Sequence, residues 1–262
     1  MRLWLAWLFW QAVVSQPPSE IQPPACGDAE ITEFGLDCTV KDSCSLFLEL
    51  AGVEQAGGRL FLTGNFHTGT ATLWSLLLVS DDEGRTWTEP HARIRGAALD
   101  DIQFVDAEAG WASGHIAGAL PRDPFLLKTT DGGRTWRRVP VFEESGYGVI
   151  DAFRFESRTQ GVLLLQRRGE PRQRYQRWET SDGGDTWTLR EAGAKPFPPL
   201  RPRATGWRIR TDARARSYVL ERQGEKGWTA AARFPVRFGE CKPAPEPTEP
   251  PEAAPPKEPP PR

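Results

Sequence analysis

The chain has 262 residues, enough for one large β domain or two small ones. Eleven Trp, 13 Phe and 25 Gly stand against three Tyr and one Met, and no stretch keeps a helical period, so one all-β domain of short strands and tight turns is expected. The formal net charge of −2 hides a dipole: residues 1–130 hold eight Lys or Arg against seventeen Asp or Glu, whereas residues 131–240 hold 22 against fourteen.

From Met1 to Ser15 a single basic residue, Arg2, precedes an apolar run, Leu3 to Trp10, extended by Ala12, Val13 and Val14. The run is too short for the roughly 20 residues a helix needs to cross a bilayer. Ser15, with Val13 two positions before it, offers a processing site. Residues 1–15 are therefore read as a cleaved signal peptide and the protein as secreted or periplasmic, meeting the membrane only through export. Export also argues against a nucleic-acid partner.

Residues 16–44 form a Pro- and Cys-rich lead, expected to be irregular. The four cysteines, Cys26, Cys38, Cys44 and Cys241, suit an oxidising compartment and are disulfide candidates. Of the three possible pairings, the layout favours those that join Cys241 to one of the early three and so tie the ends together. No Cys-x-x-Cys spacing occurs and the only histidines are at 67, 91 and 115, so no metal site is expected.

From Ser45 a repeat begins, centred on the stretch TTDGGRTW (Thr129 to Trp136), with copies SDDEGRTW (Ser80 to Trp87) and TSDGGDTW (Thr180 to Trp187). From Asp82 to Asp131 is 49 residues and from Asp131 to Asp182 is 51, a period typical of repeat architectures. Each copy reads as a tight hairpin loop. The aspartate accepts backbone N–H bonds and closes the turn, and Gly84, Gly133 and Gly184 permit positive φ. Thr86, Thr135 and Thr186 restart a strand, while Trp87, Trp136 and Trp187 bring apolar surface to the neighbouring unit.

Counting back from each loop aligns the other strands. DIQFVD starts 30 residues before Asp131 and DAFRFE 31 before Asp182, while Gly110-Trp111 and Gly161-Val162 each begin 21 before their aspartate. A third strand enters the loop and a fourth leaves it, as TWRRVPV and TWTLREA. The first unit repeats the plan with SLFLELAGVEQ, RLFLTGNF, LWSLLLVSDD and TWTEPHARI. A fourth unit is degenerate: Gly206-Trp207 answers Gly110-Trp111, SYVLERQ is its third strand, and Gly227-Trp228 stands where the turn should end, without its Asp. Residues 45–241 thus read as a small β-propeller of about four blades, each of four antiparallel strands. Residues 242–262, with ten prolines in 21 positions, are expected to be an extended, disordered tail.

The [S/T]-x-D-x-G-x-T-W copies resemble the Asp-box, or bacterial neuraminidase repeat, of sialidases and many non-enzymatic propellers. In that family the boxes sit on the rim away from the ligand, so the resemblance implies architecture and gives the box residues no catalytic role. QFVDAEAGWASG together with LLKTTDGGRTW is similar to the repeat of photosystem II stability and assembly factor-like propellers. Photosynthetic members of that family have seven blades and act as assembly chaperones. With four units here, the resemblance implies a non-enzymatic binding propeller.

Sialidases use three arginines, a Tyr nucleophile activated by a Glu, and an Asp acid/base, with an Arg-Ile-Pro motif near the start of the propeller. The nearest string, Arg93-Ile94-Arg95, follows the first box and lacks the proline. No His-Glu-x-x-His, Gly-x-Ser-x-Gly or phosphate loop occurs. His67 and His115 read as loop histidines. No catalytic residue and no cofactor is expected, and a sialidase-type glycoside hydrolase is the alternative. Twenty of the 22 basic residues between 131 and 240 are Arg, including Arg167, Arg168, Arg172, Arg174, Arg208 and Arg210. Guanidinium forks suit carboxylate, sulfate or phosphate, so these six are candidate contacts for an anionic glycan or protein partner.

Overall fold

The computed structural model describes residues 21–142, 144–169, 171–200 and 205–245. The expected signal peptide, and the tail from residue 246, lie outside them. A helix, α1 (Asp28–Phe34), precedes strands β1 (Cys44–Ala56), β2 (Arg59–His67), β3 (Thr72–Ser80), β4 (Ala97–Phe104), β5 (Gly110–Ile116), β6 (Arg122–Thr129), β7 (Arg137–Pro140), β8 (Gly148–Phe155), β9 (Gly161–Arg167), β10 (Tyr175–Thr180), β11 (Thr188–Gly193), β12 (Trp207–Asp212), β13 (Ser217–Gly224), β14 (Gly227–Pro235) and β15 (Arg237–Cys241). The strands make four antiparallel sheets: sheet I, β15-β1-β2-β3; sheet II, β4-β5-β6-β7; sheet III, β8-β9-β10-β11; and sheet IV, β12-β13-β14.

The registers coincide. Gln55 pairs with Leu60 and Leu60 with Ser80 in sheet I; Phe104, Gly110 and Thr129 match them in sheet II, and Phe155, Gly161 and Thr180 in sheet III. The next residue along the second strand is Phe61, Trp111 or Val162. Its counterpart in sheet IV is Trp207, since the Gln223 amide donates to the Gly206 carbonyl at 2.8 Å. Each aromatic at this position wedges into the following sheet. Phe61 stacks on Phe104 with centroids 4.6 Å apart. Trp111 lies flat on Phe155, centroids 3.7 Å apart, and its Nε1 donates to the Gly183 carbonyl at 2.9 Å. Trp207 Nε1 donates to Gln55 Oε1 at 2.9 Å.

Three hydrophobic clusters follow from these wedges. One joins sheets IV and I through Trp207, Leu220 and Phe234. The second joins I and II through Phe61, Leu99 and Trp136, and the third joins II and III through Trp111, Ile150 and Phe155. With β1 touching β4 and β12, and β4 touching β8, the sheets run IV, I, II, III about a common inner side. The fold is a small β-propeller.

Among the described residues no such cluster joins sheets III and IV. The sequence accounts for this. Val162 replaces the wedge, the plain Gly224–Gly227 turn replaces the tryptophan-ended loop, and the segment that register assigns to an inner strand of sheet IV carries Pro196, Pro198 and Pro199. A proline has no N–H for a ladder, so sheet IV keeps three strands.

The ends are tied as expected, with Cys241 bonded to Cys26 across 215 residues; a second disulfide joins Cys38 to Cys44. Two expectations need correction. The lead is not wholly irregular: α1 forms because the Gly27 amide donates to Glu30 Oε2 at 3.0 Å and Gly35 leaves the helix at φ 58°. Arg95 then holds α1 to sheet I by pairing with Glu30 and Glu33. TWTEPHARI makes no regular strand, only single bridges at Thr88 and Arg95, because Pro90 interrupts the ladder.

Candidate functional site

The three tryptophan-ended loops share one hydrogen-bond pattern. In each, the hydroxyl of Ser80, Thr129 or Thr180 donates to the turn aspartate at 2.7–2.8 Å and accepts the amide of Gly84, Gly133 or Gly184 at 2.8–2.9 Å. The aspartate also accepts both the amide and the hydroxyl of Thr86, Thr135 or Thr186. Trp87 and Trp136 donate to the carbonyls of Gly84 and Gly133, both at 3.1 Å. Gly133 has φ 77°, and a Cβ there would meet the Phe61 ring at 2.5 Å, so only glycine lets the neighbouring sheet approach.

Each of these carboxylates accepts four hydrogen bonds from its own loop, which suits a structural joint. Thr86 above all, then Ser80 and the Arg85 amide, hold Asp82 down at about 2. At Asp131 partial burial opposes ionisation, but the bonds from Thr135 and Thr129 outweigh it and leave about 2. Asp182 is depressed by the same balance. Since an unfolded aspartate titrates near about 3.9, this stabilisation is complete above that pH and is lost as pH falls through the folded values. Acid unfolding followed by circular dichroism is expected between about pH 4 and 2. A D82N/D131N/D182N variant should be less stable at neutral pH with a flatter dependence in that window; an unchanged slope would contradict the assignment.

The six nominated arginines part company. Arg208 and Arg210 both bond the buried Glu221, at 2.7 and 2.9 Å, and these bonds, that of Arg210 first, hold its carboxyl below the usual range. Arg208 also lies over Trp228, 4.2 Å from the ring centroid. Both are committed within sheet IV. Arg172 is exposed on a short 3-10 turn, Pro171–Gln173. Arg167, Arg168 and Arg174 converge: with Gly169, Pro171 and Ala194 they line a pocket of about 440 Å³. The pocket lies where β9 ends and β10 begins, at the end of sheet III opposite its tryptophan-ended loop. Among the described residues no carboxylate pairs with these three.

Arg167 also belongs to an adjoining groove of about 510 Å³, walled by Phe142, Trp178 and Trp187 and lined as well by the carboxylates of Glu144 and Asp185. Its guanidinium lies 4.7 Å from the Phe142 centroid, and Phe142 meets Trp178 edge-on at 5.4 Å. Sequence reasoning finds the arginines and misses the groove, because Phe142 and Trp178 are 36 positions apart and meet only across the junction of sheets II and III.

Elsewhere the chemistry is sparse. His67 Nδ1 is 2.8 Å from the Thr68 carbonyl and His115 Nδ1 is 3.0 Å from Asp100. Among the described residues no group of three or more His, Cys, Asp or Glu could hold a metal ion, and no helix is long and apolar enough to cross a membrane. Arg93 bonds Glu89, and Arg95 serves α1. Tyr218 is the tyrosine with a glutamate, Glu49, acting on it, but burial first and that charge second push its pKa up, the reverse of what a nucleophile needs.

Fold and site together define a small β-propeller with a basic, aromatic-flanked pocket at the loop end of one blade. No family model matches the chain. It is 29% identical over 140 residues to the chloroplastic photosystem II stability/assembly factor HCF136 of Arabidopsis thaliana, a match covering 51% of this chain and 30% of that protein. The chain therefore spans about a third of the length of the curated relative it matches. Among solved structures it is similar to YCF48 bound to D1 peptide, at 17% identity and TM-score 0.42, over 72% of this chain and 56% of that one. It is also similar to an α-L-arabinanase of Penicillium chrysogenum complexed with arabinobiose, at 14% identity and TM-score 0.40, over 74% and 62% of the two chains. At such scores these likenesses bear on neither activity nor ligand.

Proposed function

We propose that this is an exported, non-enzymatic binding or scaffold propeller whose tryptophan-ended loops are Asp-boxes, and that it recognises an anionic glycan or protein through Arg167, Arg168 and Arg174. In this reading residues 1–15 are a signal peptide, 16–44 a lead, 45–241 the propeller and 242–262 a tail. One observation carries the binding role: of the six nominated arginines, these three converge on one pocket, and no described carboxylate neutralises them. Two disulfides suit an oxidising compartment. The Arabidopsis relative, named as a stability/assembly factor, supports a protein-handling role.

The mature protein is expected to bind a heparin-like resin at low ionic strength and to leave it by about 0.3 M salt, where screening shortens the reach of surface charge. R167E/R174E should elute earlier than R208E/R210E. Equal elution of the two variants would remove the pocket from the reading.

A sialidase-type hydrolase is the second reading, because three arginines line one pocket and one of them, Arg174, lies 5.6 Å from the Tyr175 ring centroid. The Tyr175 hydroxyl is met by the Gln166 amide at 3.5 Å, however, and no described glutamate bonds it to activate it. A fluorogenic sialoside should therefore remain uncleaved; turnover abolished by Tyr175→Phe would reverse the assignment.

A further inference from the structure

The groove beside the basic pocket offers a different chemistry from the pocket, although Arg167 belongs to both. Its walls are aromatic: Phe142 and Trp178 meet edge-on, with Trp187 partly buried at the same seam. The indole N–H of Trp178 is already given to Gln176 Oε1 at 3.1 Å, so what this side chain offers a ligand is the apolar surface of its ring. The polar groups of the groove are chiefly acceptors. The hydroxyls of Ser145 and Thr186 donate to Asp123 and Asp182. Asp185 is bonded by Lys128, at 3.2 Å, and by Arg137. Glu144 is exposed and, among the described residues, has no hydrogen bond or ion pair.

These features select an occupant. With Asp185 neutralised by Lys128 and Arg137, the groove keeps one charge of each sign, Arg167 and Glu144, and so makes no demand for net charge. An anion suits the pocket but would meet Glu144 in the groove, so a peptide with closely spaced carboxylates fits the first and not the second. An uncharged sugar ring fits the groove. Its C–H faces pack on flat aromatic surface, and its hydroxyls donate to a carboxylate in charge-assisted bonds. At about 440 and 510 Å³, both cavities fall in the size range of small-ligand sites.

We propose that pocket and groove are adjacent subsites for one acidic oligosaccharide, an assignment that rests on the reading of the pocket as an anion site and chooses glycan over protein. The carboxylate of a uronic acid is held by Arg167, Arg168 and Arg174. The neighbouring uncharged sugar lies against Phe142 and Trp178, with a hydroxyl donating to Glu144. Arg167, common to both cavities, marks where the two sugars join. Salt then weakens the pocket's share of the binding, which is electrostatic, more than the groove's.

The test is calorimetry at low salt with hexasaccharides of hyaluronan and of unsulfated chondroitin, which alternate a uronic acid with an uncharged N-acetylhexosamine. Their carboxyl-reduced forms and hexaglutamate serve as comparisons. At least one acidic hexasaccharide is expected to bind, and carboxyl reduction to weaken it at least about tenfold, as for the loss of a charge-assisted bond. Trp178→Ala should weaken it about tenfold, equivalent to about 1.4 kcal/mol of lost apolar contact, and leave binding of hexaglutamate and of the heparin-like resin undiminished. Glu144→Gln, at an exposed side chain with no partner to lose, should weaken the hexasaccharide severalfold with resin binding again undiminished. Unchanged hexasaccharide binding in W178A, or in E144Q should W178A not fold, would overturn the groove subsite. Hexaglutamate binding as tightly as the hexasaccharides, with the same loss in W178A, would assign both cavities to an acidic protein instead. The two readings fail separately: resin retention that depends on Arg167 and Arg174 without hexasaccharide binding keeps the anion site and removes the glycan, whereas loss of both removes the pocket as well.

Discussion

Replacing Cys26 and Cys241 together by serine is expected to remove about 5 kcal/mol of folding stability, the chain-entropy value for a loop of this length. The bond closes 215 residues, whereas Cys38–Cys44 closes six, for which the same relation gives about 2 kcal/mol. The contrast tests the architecture, since only the long bond fastens the strand that ends the propeller to the segment that precedes it. Losing it would leave β15 held to β1 by their ladder alone and loosen the contact of sheet IV on sheet I. Against a typical total of about 5–15 kcal/mol, the loss brings the protein close to unfolding at physiological temperature. Thermal melts of the two double-serine variants measure the order; a Cys38/Cys44 variant that melts as low as the Cys26/Cys241 variant would contradict it.

Trp111→Ala is expected to cost about 4 kcal/mol in urea unfolding, the range for emptying a buried aromatic site. Trp111 is 1% exposed, stacks on Phe155 and supplies the indole N–H that reaches the Gly183 carbonyl. The cavity would open between sheets II and III, and a buried carbonyl would lose its donor. Val162→Ala, the same position one sheet later, should cost about 1 kcal/mol or less, because that residue is only partly buried and faces no following cluster. Similar losses at both positions would mean that the wedges are not what joins the sheets.

How far the sequence can be read follows from how local each determinant is. The tryptophan-ended loops are legible because their chemistry is contained in eight residues, and spacing then puts Gly110 and Gly161 in register without knowledge of contacts. The outer strand of sheet I misleads, since Thr86-Trp87-Thr88 looks like the strand restarts at Thr135 and Thr186 only until Pro90 removes the next donor. The helix α1 escapes notice because its signals, Glu30 answering Gly27 and Gly35 ending the turn, sit in a stretch dominated by prolines and cysteines. At the site, composition reveals an excess of arginine but not which arginines are available. That depends on strand pairing, which sets Glu221 opposite Arg208 and leaves Arg167, Arg168 and Arg174 to gather at a turn.

The plain junction between sheets III and IV has a bearing on how such a molecule changes size. The wedge position facing it holds Val162, and residues 194–200 carry Pro196, Pro198 and Pro199 in place of a paired strand. A further unit of about 50 residues spliced in at that point would leave the three interlocked seams and the Cys26–Cys241 fastening untouched. Growth or shrinkage of the array would therefore be cheapest there, with the joint at the termini undisturbed.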